Sequence, residues 1–299
     1  MNKRDDITLR IIERFFYLLG SLPLTQARRL SNLLGRLWFR TDSRHRRIAL
    51  DNLTRAFGHE KGPVEIEGIA RRVFQNLFLV LFEIGWSLHL GPDEFNKYFT
   101  LQNRFSGDMD KGVLILTGHV GNWEMMPIVS AITKHTANVL YRPMDYEPLE
   151  RFFAQNRTRF GAKLVSKDRA LLRVFKALKR QESVVMLLDQ NVGWHKGVFV
   201  EFFGRRACTS YGLAFIALKT NAPVVPAFVV RNANGAGFTA EIGPEIPLVK
   251  TGDHQKDLEE NTQHYNDALE AIIRRHPDQW FWVHRRWKTR PYSHWPRKE

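Results

Sequence analysis

From residue 112 to residue 275 the chain alternates between two apolar patterns, and this alternation limits its possible folds more than any other feature. Strand-like runs fall at 113–117, 138–141, 163–165, 184–188, 198–203, 224–230 and 238–242. Helical periodicity fills the stretches near 122–134, 146–160, 168–180, 210–220 and 256–275. Short strands separated by amphipathic helices return in parallel and carry the helices on the sheet faces. The expected fold class is therefore α/β, with a mainly parallel central sheet flanked by helices. In such sheets ligands bind beyond the carboxyl ends of the strands. His119, Arg142 and Asp189 each stand just past a predicted strand end, so they are candidates for one shared site.

Ahead of this region the pattern is helical. Residues 7–19 read as an amphipathic helix ended by Gly20, and a second helix is expected from about Thr25 to Phe39. Arg28, Arg29, Arg36 and Arg40 flank the apolar side of the second helix, and Arg44, Arg46 and Arg47 follow it. Basic amphipathic helices with aromatic residues suit a membrane interface; a helical layer packed on the catalytic core is the other reading. Residues 64–90 form a long helical pattern. Its uncharged run stops at Glu83 after nine or ten residues, well short of the ~20 needed to span a bilayer, so it reads as a core helix. The division expected is 1–60 as basic, membrane-associating amphipathic helices and 61–299 as the α/β domain.

With 299 residues, 43% of them hydrophobic, the chain can bury a large core. The formal charge of +14 is concentrated at the ends. Residues 1–60 hold 12 Lys/Arg against 6 Asp/Glu, and residues 280–299 hold 6 against 1. Such ends suit nucleic acid, anionic lipid or an acidic protein, and composition does not choose among them. The lone Cys208 excludes an internal disulfide and a cysteine-rich zinc site. No signal peptide is recognisable, because Arg10, Glu13 and Arg14 break the apolar stretch from Ile7 to Leu24.

The most chemical segment is Leu114-Ile-Leu-Thr-Gly-His-Val-Gly-Asn-Trp-Glu124. An imidazole titrates near neutral pH, and a neighbouring carboxylate fixes its tautomer and makes it more basic. On one helix, residues five apart diverge by roughly 140°. His119 and Glu124 can therefore meet only if the first lies in a turn and the second opens the next helix, a turn that Gly118 and Gly121 permit.

Four segments accompany this one: Tyr141-Arg-Pro-Met-Asp145; Gln155-Asn-Arg157, followed by Arg159 and Gly161; Leu187-Leu-Asp-Gln-Asn191; and Phe202-Phe-Gly-Arg-Arg-Ala-Cys-Thr-Ser-Tyr-Gly212, leading to Ala222-Pro-Val-Val-Pro226. Together with Trp282-Val-His-Arg-Arg-Trp-Lys-Thr-Arg-Pro291, their order resembles the bacterial late lipid A acyltransferases, of the lysophospholipid acyltransferase superfamily. The resemblance covers nearly the whole chain. The mycobacterial phosphatidylinositol mannoside acyltransferase shares the same blocks, which leaves another glycolipid or a lysophospholipid open as acceptor.

The resemblance implies a glycerolipid-acyltransferase-like fold and a membrane-associated O-acyltransferase. It implies acyl transfer from acyl carrier protein or CoA to a hydroxyl of a lipid A precursor, without a further cofactor or metal. It places the chain on the cytoplasmic face of the inner membrane, peripheral or monotopic. It makes His119 the general base, Glu124 its partner, and Arg157 and Asp189 functionally required. Arginine's planar fork suits phosphate or a developing oxyanion, and Asp189 would orient Arg157 or a neighbouring donor. Arg142 is a further substrate-binding candidate, although a surface ion-pair network with Asp145, Glu147 and Glu150 also accounts for these arginines. No Gly-x-Ser-x-Gly elbow is present, so a covalent acyl-enzyme is not suggested. Phe202 and Phe203 suit either an acyl groove or ordinary core. Trp280, Trp282, Trp287 and Trp295 suit either an interfacial belt or a tail packed over the sheet.

Two other classes fit parts of the sequence. Nucleic-acid binding fits the charge, but no helix-turn-helix, zinc-finger or RNA-recognition pattern is present. A metallohydrolase using His119, Glu124, Asp189 and His195 lacks any recognised ligand spacing.

Overall fold

A computed structural model describes residues 3–166, 170–233, 235 and 237–291. The helices α1 (Lys3–Gly20), α2 (Leu24–Thr41), α3 (Ser43–Phe57) and α4 (Pro63–Ser87) come first. A short α5 (Phe95–Tyr98) and β1 (Phe99–Asn103) lead to β2 (Leu114–Thr117), α6 (Met126–Thr133), β3 (Ala137–Tyr141) and α7 (Glu147–Thr158). Then follow β4 (Lys163–Ser166), α8 (Ala170–Lys179), β5 (Ser183–Leu187), β6 (Gly197–Phe202) and β7 (Arg205–Ser210). The chain continues with α9 (Gly212–Thr220), β8 (Val224–Arg231), β9 (Phe238–Ile242) and α10 (His254–Arg275).

Seven strands form one sheet in the order β1-β9-β8-β2-β5-β3-β4, in which only the β8–β9 pair is antiparallel. This is the mainly parallel α/β sheet expected from the alternation. The central strands β2 and β8 are buried along their whole length, as strands covered by helices on both faces must be. Strand β6 leaves the sheet and pairs with β7 as a separate hairpin. Strands β1 and β7 and helices α3 and α5 fall outside the strands and helices that the apolar pattern predicts. Helix α3 begins where Asp42 caps it, its Oδ1 accepting from the His45 amide at 3.0 Å; a side-chain cap of this kind is worth about 0.5–2 kcal/mol.

The N-terminal helices pack on α4. Phe39, Leu53 and Phe57 from α2 and α3 enter the same buried cluster as Val73 and Phe74 of α4 and Leu114 and Leu116 of β2. Helices α1 and α4 cross closely, because a Cβ on Gly85 would stand 2.3 Å from the Phe16 carbonyl oxygen. Among the described residues no helix is long and apolar enough to cross a membrane. Helix α1 nevertheless leaves Ile7, Ile11, Phe15 and Leu18 exposed along one stripe, and α2 does the same with Leu30, Leu33 and Leu37.

The aromatic C-terminal segment is no exposed belt. Trp280 and Trp282 are fully buried, and Trp287 is half-buried; Trp295 lies outside the described residues. Phe202 and Phe203 also belong to the core, packed edge-on or tilted against Trp280, Trp282 and Phe57.

Candidate active site

The neighbours β2 and β5 run in register, with Thr117 beside Leu187. Two residues further along each strand direction stand His119 and Asp189. This equal offset brings the two side chains together beyond the carboxyl end of the sheet. His119 Nδ1 lies 2.9 Å from Asp189 Oδ1, and the His119 amide donates to Asp189 Oδ2 at 2.8 Å. Trp280 Nε1 donates to the same Oδ2 at 2.8 Å. Asp189 is completely buried. Burial would raise its pKa, but the adjoining His119 and these hydrogen bonds hold the carboxyl far below its ordinary range. An ionised carboxylate only accepts, so in the neutral imidazole Nδ1 carries the proton and Nε2 presents its lone pair. No hydrogen bond engages Nε2 among the described residues.

The His119 turn is built by close backbone approach. Gly121 has φ +64°, and a Cβ there would meet the Val229 carbonyl oxygen at 1.9 Å, so only glycine fits. The C-terminal segment clamps the same turn: the Gly121 amide donates to the Gln279 carbonyl and the Phe281 amide to the His119 carbonyl. Behind it Asn122 Nδ2 donates to Glu83 Oε2, and Glu83 forms a fully buried two-pronged pair with Arg231 at 2.6 Å. The Trp123 and Phe281 rings lie 4.8 and 5.9 Å from the His119 ring.

Glu124 sits in the 3-10 turn 123–125 that opens α6, as the spacing required. Its partner, however, differs from the expected one. Glu124 accepts a two-pronged bond from Arg157, at 2.8 Å from Nε and 2.7 Å from Nη2, and makes no hydrogen bond to His119 among the described residues. The carboxylate on the imidazole is Asp189, and Asp189 orients His119 and Trp280 rather than Arg157. Glu124 thus takes the arginine in place of the imidazole, and of the two places expected for Asp189, on Arg157 or on a neighbouring donor, the structure shows the second. Burial lowers the His119 pKa, but the opposing charge of Asp189, helped by that of Glu124, outweighs it and leaves the imidazole above its ordinary value. Arg157 is likewise pressed down by burial and raised more strongly by Glu124, so it stays a cation. Its Nη1 has no partner among the described residues.

Arg142 follows β3 as expected, but it is exposed and paired with Asp145 at 3.1 Å. Arg159 donates to the carbonyls of Ser87, Leu88 and Leu90, which tie α7 to the end of α4. A cavity of about 360 Å³ opens over the site, and His119, Glu124, Arg157, Arg142, Tyr141 and Gln190 are among the residues that line it. Among the described residues no three His, Cys, Asp or Glu side chains converge as a metal site, so His119, Glu124, Asp189 and His195 do not form one. Sequence reasoning missed Glu83, Asn122, Arg231 and the contacts of Trp280, whose partners lie 39 to 148 residues away.

A buried acid–histidine pair at the end of a parallel sheet, facing a cavity of mixed polar and apolar lining with a paired arginine, is a site suited to removing a proton from a hydroxyl. A profile of the bacterial lipid A biosynthesis acyltransferase family matches residues 9–289, so the chain belongs to this family and is an acyltransferase. Its relatives include the lipid A biosynthesis palmitoleoyltransferase of Escherichia coli (strain K12), 26% identical over 253 residues, 83% of this chain and 80% of that protein. The lauroyltransferase of the same organism is 27% identical over 284 residues, 92% and 89% of the two chains. The phosphatidylinositol mannoside acyltransferase of Mycobacterium tuberculosis (strain ATCC 25618 / H37Rv) is 24% identical over 179 residues, 59% and 54%.

Proposed function

We propose that this acyltransferase moves a fatty acyl chain from a thioester, carried on acyl carrier protein or CoA, to a hydroxyl of a lipid A precursor. His119 is the general base and Asp189 its partner. The observation that carries this reading is the Asp189–His119 pair, which leaves Nε2 as an acceptor beside the cavity. Nε2 takes the acceptor hydroxyl proton as the oxygen attacks the thioester carbonyl. The C–O bond forms, the carbonyl π pair moves onto oxygen, and the tetrahedral adduct collapses with cleavage of the C–S bond. The departing thiolate takes the proton back from the imidazolium, which Asp189 stabilises in between. Arg157, held by Glu124, directs its unpaired Nη1 donor at the oxyanion or at a substrate phosphate.

Lipid A as acceptor is supported by the family match over 9–289 and by relatives that cover most of the chain. The mannoside acyltransferase covers a smaller part and keeps another glycolipid as the second reading. Attachment to the cytoplasmic face of the inner membrane is part of this proposal; the exposed apolar stripes of α1 and α2 support contact with a membrane surface. The test is transfer of a labelled acyl chain to a lipid A precursor by the purified protein. His119→Ala is expected to lose on the order of 10²–10⁴ in turnover. Retention of more than about a tenth, far above what losing a base allows, refutes the mechanism.

A further inference from the structure

A second cavity reaches the His119 environment, and it differs in chemistry from the first. It is a groove of about 510 Å³ between α2 and α4, walled by Leu37 and Trp38 on one side and by Leu77 and Leu81 on the other. Trp123 and Phe281 also line it, and these are the two rings packed against His119. Trp123 is a wall of both cavities. Along α2 the groove follows Leu34, Trp38 and Thr41, one face of two helical turns and about 10 Å of axis. Among the described residues no charged side chain lines it. Of those residues Thr41 alone brings a hydroxyl, and the Trp38 indole N–H is already bonded to Asp42.

We infer that this α2–α4 groove holds a hydrocarbon chain of the lipid acceptor, laid along α2 with its inner end against Trp123 and Phe281. The inference rests on the proposed function. Lining without charge admits hydrocarbon and rejects a phosphate or sugar, which would lose its hydration unpaired. Leu37 and Leu81 are 56% and 37% exposed at the lip. Leu37 also continues the exposed α2 stripe through Leu33 and Leu30. A chain in the groove therefore remains continuous with the apolar surface on which a membrane lipid would sit. A donor thioester on a water-soluble carrier has no such reason to enter there, and the cavity over His119, which joins Arg157 and Gln190 to an apolar wall of Val139, Leu140 and Met186, offers it a separate approach.

The experiment uses the double variant Leu37→Gln/Leu81→Gln. Both positions are exposed, so the fold should persist, and an unchanged melting curve verifies it. Binding is read first, by quenching of tryptophan fluorescence with a bromine-labelled dodecyl glycoside, because Trp38 and Trp123 line the groove. Quenching in the parent protein that falls in the double variant supports the groove; equal quenching in both overturns it. Kinetics then assign the chain. The expected result is an apparent KM for the lipid acceptor raised on the order of tenfold or more, as apolar contacts in a pocket give, with unchanged preference among donor chain lengths. A shifted donor preference with unchanged acceptor KM places the transferred chain there and overturns the assignment. Quenching without any acyl transfer in the parent protein refutes the proposed function and leaves the groove's affinity for hydrocarbon standing.

Discussion

Asp189→Asn separates the two acids near His119 by a consequence that can be worked out atom by atom. Asp189 Oδ2 accepts from the His119 amide and from Trp280 Nε1, both at 2.8 Å, while Oδ1 faces His119 Nδ1 at 2.9 Å. Asparagine has one acceptor oxygen and one NH₂ group. Two fixed N–H donors claim the oxygen at the Oδ2 position, since a buried unpaired N–H costs about 1–3 kcal/mol. The NH₂ group must then face Nδ1, which becomes the acceptor. The imidazole proton moves to Nε2, and the nitrogen that should take the substrate proton is blocked. In hydrolase triads the same exchange of acid for amide costs about 10⁴ in turnover through the wrong tautomer, and a loss of that order is expected here. Glu124→Gln leaves Nδ1 and Asp189 untouched, so its His119 stays in the productive tautomer. Nitrogen-15 NMR of His119 reports the tautomer directly, and labelled acyl transfer reports the rate. The imidazole pKa should also fall in Asp189→Asn, because burial then acts without the opposing charge that now holds it above the ordinary value. In the parent protein the rate should accordingly rise with pH as His119 loses its proton, with a midpoint raised from the ordinary histidine value. If Asp189→Asn keeps an Nδ1-protonated His119 and near-parental turnover while Glu124→Gln loses both, the assignment of the two acids is reversed.

Arg157→Ala should lower turnover on the order of a hundredfold or more and also destabilise the fold. It strands Glu124, which is 6% exposed, and breaking a buried pair costs about 3–5 kcal/mol, with the lower end expected for an arginine that is 15% exposed. Arg157→Lys should recover part of the activity but not the two-pronged geometry; near-parental kinetics in Arg157→Ala would demote the pair to a structural tie. Exchanging Ile7, Ile11, Phe15 and Leu18 for Ser should release the protein from anionic vesicles in a flotation assay. Each of these exposed side chains is worth about 1.5–3 kcal/mol when fully buried, and unchanged flotation would remove α1 from the membrane contact. Deleting 1–24 is a poorer test, because Leu9 and Phe16 are buried and their loss opens the core.

The repeating apolar pattern was enough to determine the α/β class, because strand and helix periods are local properties of the chain. The same pattern located His119, Arg142 and Asp189 at strand ends. The turn holding His119 and the place of Glu124 at the start of the next helix followed from spacing and from glycine's freedom. Strand neighbours did not follow, since a sequence does not state that β5 lies beside β2 rather than beside β4. That adjacency decides which acid meets His119, and it gives Asp189 the imidazole and Glu124 the arginine. Of the two places open to the C-terminal tryptophans, packing put Trp280 and Trp282 in the core, where Trp280 is hydrogen-bonded to Asp189 and Trp282 packs on Phe57 and Phe203. The Glu83–Arg231 pair joins residues 148 apart, and no local spacing predicts which distant acid a buried cation will find. Periodicity and turn chemistry thus located most of the elements and the residues of the candidate site, whereas only tertiary packing decided their partners, because hydrogen bonds and desolvated charges are matched in space and not along the chain.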